Sequence, residues 1–217
     1  MAQSGVLFAL LIAGLASAQA VKFASPEAPS VDFWAGKNGD ALRTGASQFV
    51  APSQLEKGPS WSWREEHNGL VRAAPLIDRD LNIYIATIGG KIIKFTPEGK
   101  TLWTFTANSS VPDVPAIMDG LLYACTDKGV VHALEMATGK EVWRQKAGRK
   151  ASGDTWSMTA AEGAVVLSVK TKDLTLSNDM IVTLDAKSGS KMWSFSPDDL
   201  VYNMLSAVKD DSLIFSD

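Results

Sequence analysis

The sequence predicts an all-β chain, a series of similar four-stranded antiparallel sheets behind a cleavable leader. Three observations predict it. Trp63, Trp103 and Trp143 recur every forty residues, and Trp193 follows after fifty. A glycine stands four residues before the later three, in the pairs Gly99/Trp103, Gly139/Trp143 and Gly189/Trp193. Between these markers, short apolar runs alternate with turn residues, and no segment after the leader has helical periodicity. Self-similarity at a period near forty residues marks a repeat architecture.

The pattern is plainest from Val114 to Gln145. Val114–Met118 reads as a strand, and Asp119-Gly120 turns the chain into a second strand, Leu121–Cys125. Asp127-Lys128-Gly129 is a tight turn whose glycine suits a positive φ. Val130–Leu134 is the third strand, Thr138-Gly139-Lys140 turns again, and Glu141–Gln145 is the fourth. The preceding unit matches it position by position. Pro75 to Trp103 and Pro115 to Trp143 both take 28 residues, and Tyr84, Gly90, Phe95 and Gly99 answer to Tyr123, Gly129, Leu134 and Gly139. A hairpin with a left-handed glycine explains the constant Gly-to-Trp spacing. The indole supplies a large apolar face for packing one sheet on the next.

The third unit is longer, by about seven residues around Thr171 to Asp179, where the tight turn belongs. The insertion reads as an extended surface hairpin, or alternatively as a recognition loop on a rigid scaffold. A fourth unit opens at Asn203–Val208, and its second strand, Ser212–Ser216, is under way at Asp217. Radial stacking of such sheets buries their faces and leaves only short edges, so the expected architecture is a β-propeller. With Trp63 counted as the last strand of an opening sheet, the chain carries about three and a half blades, where propellers of this kind close with about six to eight. The expectation is an N-terminal fragment or truncated product; association of two arcs is the other reading.

Residues 1–20 stand apart. Val6–Leu15 is a ten-residue apolar run, too short to span a bilayer. The small residues after it, Ala16-Ser17-Ala18 or Ala18-Gln19-Ala20, have the spacing that a signal peptidase accepts. A buried N-terminal helix is the alternative. The expected organisation is a signal peptide over 1–20, a lead-in segment over 21–60 and an incomplete propeller over 61–217. The mature chain is then extracytoplasmic: secreted, in a secretory lumen, or periplasmic. No later segment has the length of a transmembrane helix.

The 217 residues are 46% hydrophobic and 21% charged, enough for a globular core. A formal net charge of −3, with Arg149-Lys150 an isolated basic pair, excludes a nucleic-acid-binding surface. The single cysteine, Cys125, excludes an intrachain disulfide. It reads as a small buried hydrophobe, with a reactive thiol as the second reading. Asn108-Ser109-Ser110 fits the N-glycosylation sequon, which matters only on a eukaryotic secretory route.

The run from Tyr123 to Trp143, YACTDKGVVHALEMATGKEVW, resembles the pyrroloquinoline-quinone (PQQ) type propeller repeat, and Thr183–Gly189 repeats part of that pattern. Trp34 with Arg43–Ser47 is similar to the lead-in of secreted proteins of this class. The resemblance covers most of residues 34–217. It implies one of two functions. The first, preferred here, is a non-enzymatic secreted scaffold that binds proteins or ligands through its rim and loops, as in the BamB type of assembly scaffold. The second is the N-terminal part of a PQQ- and calcium-dependent alcohol or sugar dehydrogenase. For its alcohol-oxidising branch, the resemblance implies an adjacent cysteine pair, acidic and amide metal ligands, and a catalytic Asp. No cysteine pair is present. Asp119, Asp127, Asp185 and Asp210 read as turn residues, His67 as a residue of a polar loop, and His132 as a satisfied strand histidine. Two distant histidines give no zinc spacing. Trp156 is expected in the core, or else lining a central channel. No catalytic, cofactor-binding or metal-binding residue is nominated, and PQQ and calcium enter only with the dehydrogenase reading.

Overall fold

The computed structural model describes residues 32–47, 49–50, 55–65, 69–151, 158–171, 179–197, 207–210 and 212–214. The leader, His67, Trp156, Asn203 and all of the Thr171–Asp179 insertion except its two ends lie outside the described residues.

Three complete sheets follow one another, each an antiparallel meander in chain order. The first holds β1 (Leu76–Ile77), β2 (Ile83–Ala86), β3 (Lys91–Phe95) and β4 (Thr101–Thr106). The second holds β5 (Ala116–Met118), β6 (Leu121–Cys125), β7 (Val130–Glu135) and β8 (Glu141–Lys146). A two-residue strand, β9 (Lys150–Ala151), adds itself to β11 of the third sheet, which runs β10 (Thr159–Ala161), β11 (Ala164–Lys170), β12 (Asp179–Asp185) and β13 (Lys191–Phe195). A fourth sheet contributes β14 (Ala207–Lys209) and β15 (Ser212–Ile214). The expected three and a half blades of a β-propeller are therefore present, built almost without helix.

Local chemistry explains the meanders. Asp119 (φ 51°) and Gly120 (φ 79°) both take positive φ, the geometry of a two-residue hairpin whose twist matches its strands. Each third-to-fourth strand pairing slips in register at the same place, beside Lys94/Phe95, Ala133/Leu134 and Thr183/Leu184. Central strands β7 and β11 are buried on both faces, because each sheet is sandwiched by its neighbours, whereas β4 and β8 alternate between covered and exposed positions. One core cluster joins the first and second sheets through Leu76, Tyr84, Ile92, Ile117 and Leu122. A second joins sheets two and three through Tyr123, Val131, Val165 and Leu184, and a third joins sheets three and four through Val166, Ile181 and Val208. Each such side chain contributes about 1.5–3 kcal/mol by leaving water.

The indoles bolt consecutive sheets together. Trp103 Nε1 donates to the Met136 carbonyl at 3.0 Å, and Trp143 Nε1 to that of Ala186 at 3.0 Å. On the first sheet the equivalent bond, 2.8 Å to the Pro97 carbonyl, comes from Trp61 and not from Trp63. This corrects the expectation that Trp63 ends a strand. Residues 61–65 form no strand, and Trp63 instead meets Phe95 edge-on at 5.5 Å. The forty-residue spacing selected the wrong member of the Trp61/Trp63 pair because an irregular segment need not keep strand register. β5 also begins two residues later than expected, at Ala116.

Candidate functional site

The first strands of the sheets converge, β10 packing beside both β5 and β14. The lead-in crosses all of them. Trp34 pairs with Ile77 of β1, exchanging N–H···O bonds of 2.9 and 3.0 Å, and the Ala35 carbonyl accepts from Ile117 of β5 at 2.8 Å. Arg43 reaches the third sheet, its Nη2 donating to Thr159 Oγ1 at 2.7 Å and to the Met158 carbonyl at 3.2 Å. Val208 of β14 donates to the Ala41 carbonyl at 3.2 Å. One short strap thus touches the inner strand of every sheet.

The strap's own shape comes from its sequence. Asn38 (φ 61°) and Gly39 (φ 95°) reverse the chain, so that the Trp34 ring lies against Gly39. Asp40 then accepts from the backbone N–H groups of Leu42 and Thr44 and from the Thr44 hydroxyl, the last at 2.6 Å. Burial pushes its carboxyl upward, but those bonds prevail and hold it below its usual range. Burial lowers Arg43 to about 10, against the charge of Asp40.

Beside the strap lies a cleft of about 340 Å³, lined by Trp34, Lys37 and Asn38 of the lead-in, Arg72 ahead of β1, and Pro112 and Val114 ahead of β5. Asp113, between those last two, is 7% exposed. Burial pushes its carboxyl up to about 7; Arg72 and Lys37 act downward and Asp127 upward. Lys37 is lowered, first by burial and then by the neighbouring Arg43 charge. Among the motifs read from the sequence, only Trp34 and Arg43 pointed to this region. Lys37, Arg72 and Asp113 were missed, because they are 35 and 41 residues apart in order and nothing local brings them together.

The residues weighed from the sequence fall elsewhere. Asp119 and Asp210 hold positive-φ turn positions, Asp185 accepts from Ser188 N and Oγ, both at 2.7 Å, and Asp127 accepts from the Ser109 hydroxyl. His132 is satisfied, as expected, but inside the molecule: it is 4% exposed, its Nδ1 lies 2.6 Å from Glu141 Oε1, and its ring meets Phe105 of the preceding sheet at 5.4 Å. Cys125 is buried, and burial first, then Asp113, pushes its thiol up. Asn108 is exposed at a bend. Among the described residues, no group of three or more His, Cys, Asp or Glu side chains could hold a metal ion, and none of the four aspartates gathers the several oxygens that calcium requires. Among the described residues, these side chains do not fit a calcium-quinone centre. Among the described residues, no helix is long and apolar enough to cross a membrane.

A family model described as outer membrane protein assembly factor BamB matches residues 89–216. The outer membrane protein assembly factor BamB of Xanthomonas campestris pv. campestris is 30% identical over 117 residues, covering 48% of this chain and 27% of that protein. Among solved structures, BamB from Moraxella catarrhalis superposes with a TM-score of 0.55 at 18% identity, over 71% of this chain and 49% of that one. Quinohemoprotein alcohol dehydrogenase from Comamonas testosteroni gives a TM-score of 0.61 at 22% identity, over 76% of this chain and 27% of that one. At these identities the structural likeness establishes the fold alone, and the chain spans about a quarter of the length of the curated relative it matches.

Proposed function

Because the chain belongs to the outer membrane protein assembly factor BamB family, we propose that it is a secreted, non-enzymatic β-propeller scaffold that binds a protein partner through its rim and loops. The observation that carries this reading is the division of labour between the two sides of the sheets. The inner strands are engaged by the lead-in strap through Ile77, Ile117, Thr159 and Val208. The outer strands β4, β8 and β13 are edges, and an edge strand offers unpaired backbone donors and acceptors to another chain. Each also exposes an apolar side chain just before its tryptophan: Leu102 (49%), Val142 (53%) and Met192 (37%). A partner lying along this rim would meet the same feature on three successive blades. The apolar run Val6–Leu15 followed by small residues, read as a signal peptide, supports a place for the scaffold outside the cytosol.

The rival reading, the N-terminal part of a PQQ- and calcium-dependent dehydrogenase, has the shared fold in its favour, and one scaffold serves many functions. A paired experiment separates them. The purified chain is incubated with PQQ and CaCl₂, desalted, and assayed for retained quinone by absorbance and mass; in parallel, a photo-crosslinking residue is placed at Leu102, Val142 or Met192 in the producing cells. The scaffold reading expects no stoichiometric quinone and one recurrent protein adduct from all three positions. Stoichiometric quinone retained with calcium overturns it.

A further inference from the structure

We propose that Asn108 is an acceptor for an N-linked glycan, carried at the one exposed point of the link between β4 and β5. The proposal rests on the secreted half of the reading above and not on its scaffold half. Asn108-Ser109-Ser110 is the one Asn-x-Ser/Thr triplet in the sequence, since none of the other five asparagines has a Ser or Thr two residues on. Such a triplet is by itself a pattern; its case here comes from what the three side chains do in the fold.

The link from Ala107 to Pro115 is pinned along its length. The Ala107 N–H donates to the Gly90 carbonyl at 2.8 Å, the Val111 N–H to that of Thr87 at 3.2 Å, and the Ser110 carbonyl accepts from the Asp127 N–H at 2.8 Å. Ala107, Val111, Asp113 and Val114 are buried, and Asn108 is the single exposed residue of the link. An asparagine at a bend ordinarily bonds its own backbone or takes a positive φ. Asn108 does neither, and among the described residues neither its amide nor the Ser110 hydroxyl forms a hydrogen bond. The middle residue is the one employed: the Ser109 hydroxyl donates to Asp127. In the next unit the Ala147 N–H donates to the Gly129 carbonyl at 3.0 Å, as Ala107 does to Gly90, which puts Gly148 where Asn108 stands. The fold therefore asks for no amide here. The two groups that glycan transfer requires, the amide and the hydroxyl two residues on, are the two that the fold leaves unused.

The reaction is a substitution at carbon with no change of oxidation state. A bond forms between Asn108 Nδ2 and the anomeric carbon of a lipid-linked oligosaccharide. The carbon–oxygen bond to the lipid pyrophosphate breaks, the pyrophosphate leaves with the electron pair, and one amide proton passes to a base of the transferase. The product is a bulky, solubilising group on a surface point that the backbone bonds hold in place. Leu102 stands near the start of β4 and Asn108 two residues past its end, so the glycan leaves from the end of the sheet remote from that rim position. A glycan and a partner can then occupy the same sheet.

The test is translation of the full chain with endoplasmic-reticulum microsomes, once behind its own residues 1–20 and once with a proven cleavable leader in their place. The expected result with either leader is one discrete increase in mass. Peptide N-glycosidase is expected to remove it and to convert Asn108 to aspartate, which the peptide mass reads. Asn108→Gln and Ser110→Ala are expected to lose the increase entirely, while Ser109→Ala and Ser110→Thr retain it. An increase behind the proven leader but none behind the chain's own sinks the secreted reading and leaves the acceptor assignment standing. No glycosidase-sensitive product behind the proven leader, or one that survives Asn108→Gln, overturns the proposal.

Discussion

Trp103 lies over Gly139 of the following sheet so closely that a Cβ added to the glycine would stand 2.6 Å from the indole Cδ2. The relation recurs between Trp61 and Gly99, at 2.5 Å, and between Trp143 and Gly189, at 2.6 Å to Cε3. Each glycine therefore answers to two demands at once: its φ is positive, and a neighbouring sheet's indole fills the space where a side chain would begin.

Those demands separate by substitution. Gly120 also has a positive φ, but nothing lies within 4 Å of an added Cβ. Gly120→Ala is expected to cost only the backbone strain, about 1 kcal/mol. Gly139→Ala adds overpacking against Trp103 and is expected to cost about 2–4 kcal/mol in all. Urea unfolding of the two variants beside the parent measures the difference.

The assignment of Trp61, not Trp63, as the indole that docks on the first sheet predicts a specific coupling. Trp61→Ala opens the space above Gly99, so Gly99→Ala should cost less in that background, by about 1 kcal/mol or more. Trp63→Ala should leave the cost of Gly99→Ala unchanged. Equal coupling in both backgrounds would show that the docking assignment is wrong.

A buried ionic cluster distinguishes the first sheet from the second. Lys94 Nζ lies 3.4 Å from Asp78 Oδ2, donates to the Met136 carbonyl at 3.0 Å and sits 5.1 Å from the Tyr84 ring centroid, while the Tyr84 hydroxyl donates to Asp78 at 2.8 Å. Burial would raise the Asp78 carboxyl, but bonds from Asn82 and Tyr84 and the Lys94 charge hold it below its usual range. In the second sheet the corresponding residues are Met118 and Ala133. Asp78→Met or Lys94→Ala alone strands a buried charge and is expected to cost about 3–5 kcal/mol; the double variant is expected to be more stable than either single one. A double-mutant cycle in urea tests this.

Asp113 sets a pH dependence of opposite sign to Asp78. Its carboxyl rises from 3.8 to about 7 on folding, so the folded chain keeps a proton that the unfolded chain releases. The resulting stability is full below about pH 4 and is lost as pH rises to about 7. Asp113→Asn should therefore gain on the parent across that interval, by about 2–4 kcal/mol at pH 8 relative to pH 4. Unfolding free energies of the two proteins at pH 4, 6 and 8 provide the check.

Much of the fold was legible because the determinants are local. Leu121–Cys125 and the hairpin at Asp119-Gly120 follow from adjacent residues, and the structure places them where the pattern did. Legibility ended wherever a partner lies far along the chain. His132 is buried by Phe105 of another sheet and answered by Glu141 across a strand pair, and neither contact leaves a mark near position 132. The strap was visible only as a family-like lead-in. Its role rests on bonds from Trp34, Ala35, Ala41 and Arg43 to four separate sheets.

The strap also fixes an order of events during synthesis. Each sheet is knit from neighbours in sequence and can condense soon after it emerges, as low-separation contacts do. Ala41, made early, must wait for Val208 before its carbonyl is satisfied by the fourth sheet. Until then, the earliest-made segment of the hub is tethered at one end and open at the other, a vulnerable interval for proteases or for a chaperone to occupy. The bond from Val208 to the Ala41 carbonyl can form only after the ribosome has delivered the start of the fourth sheet.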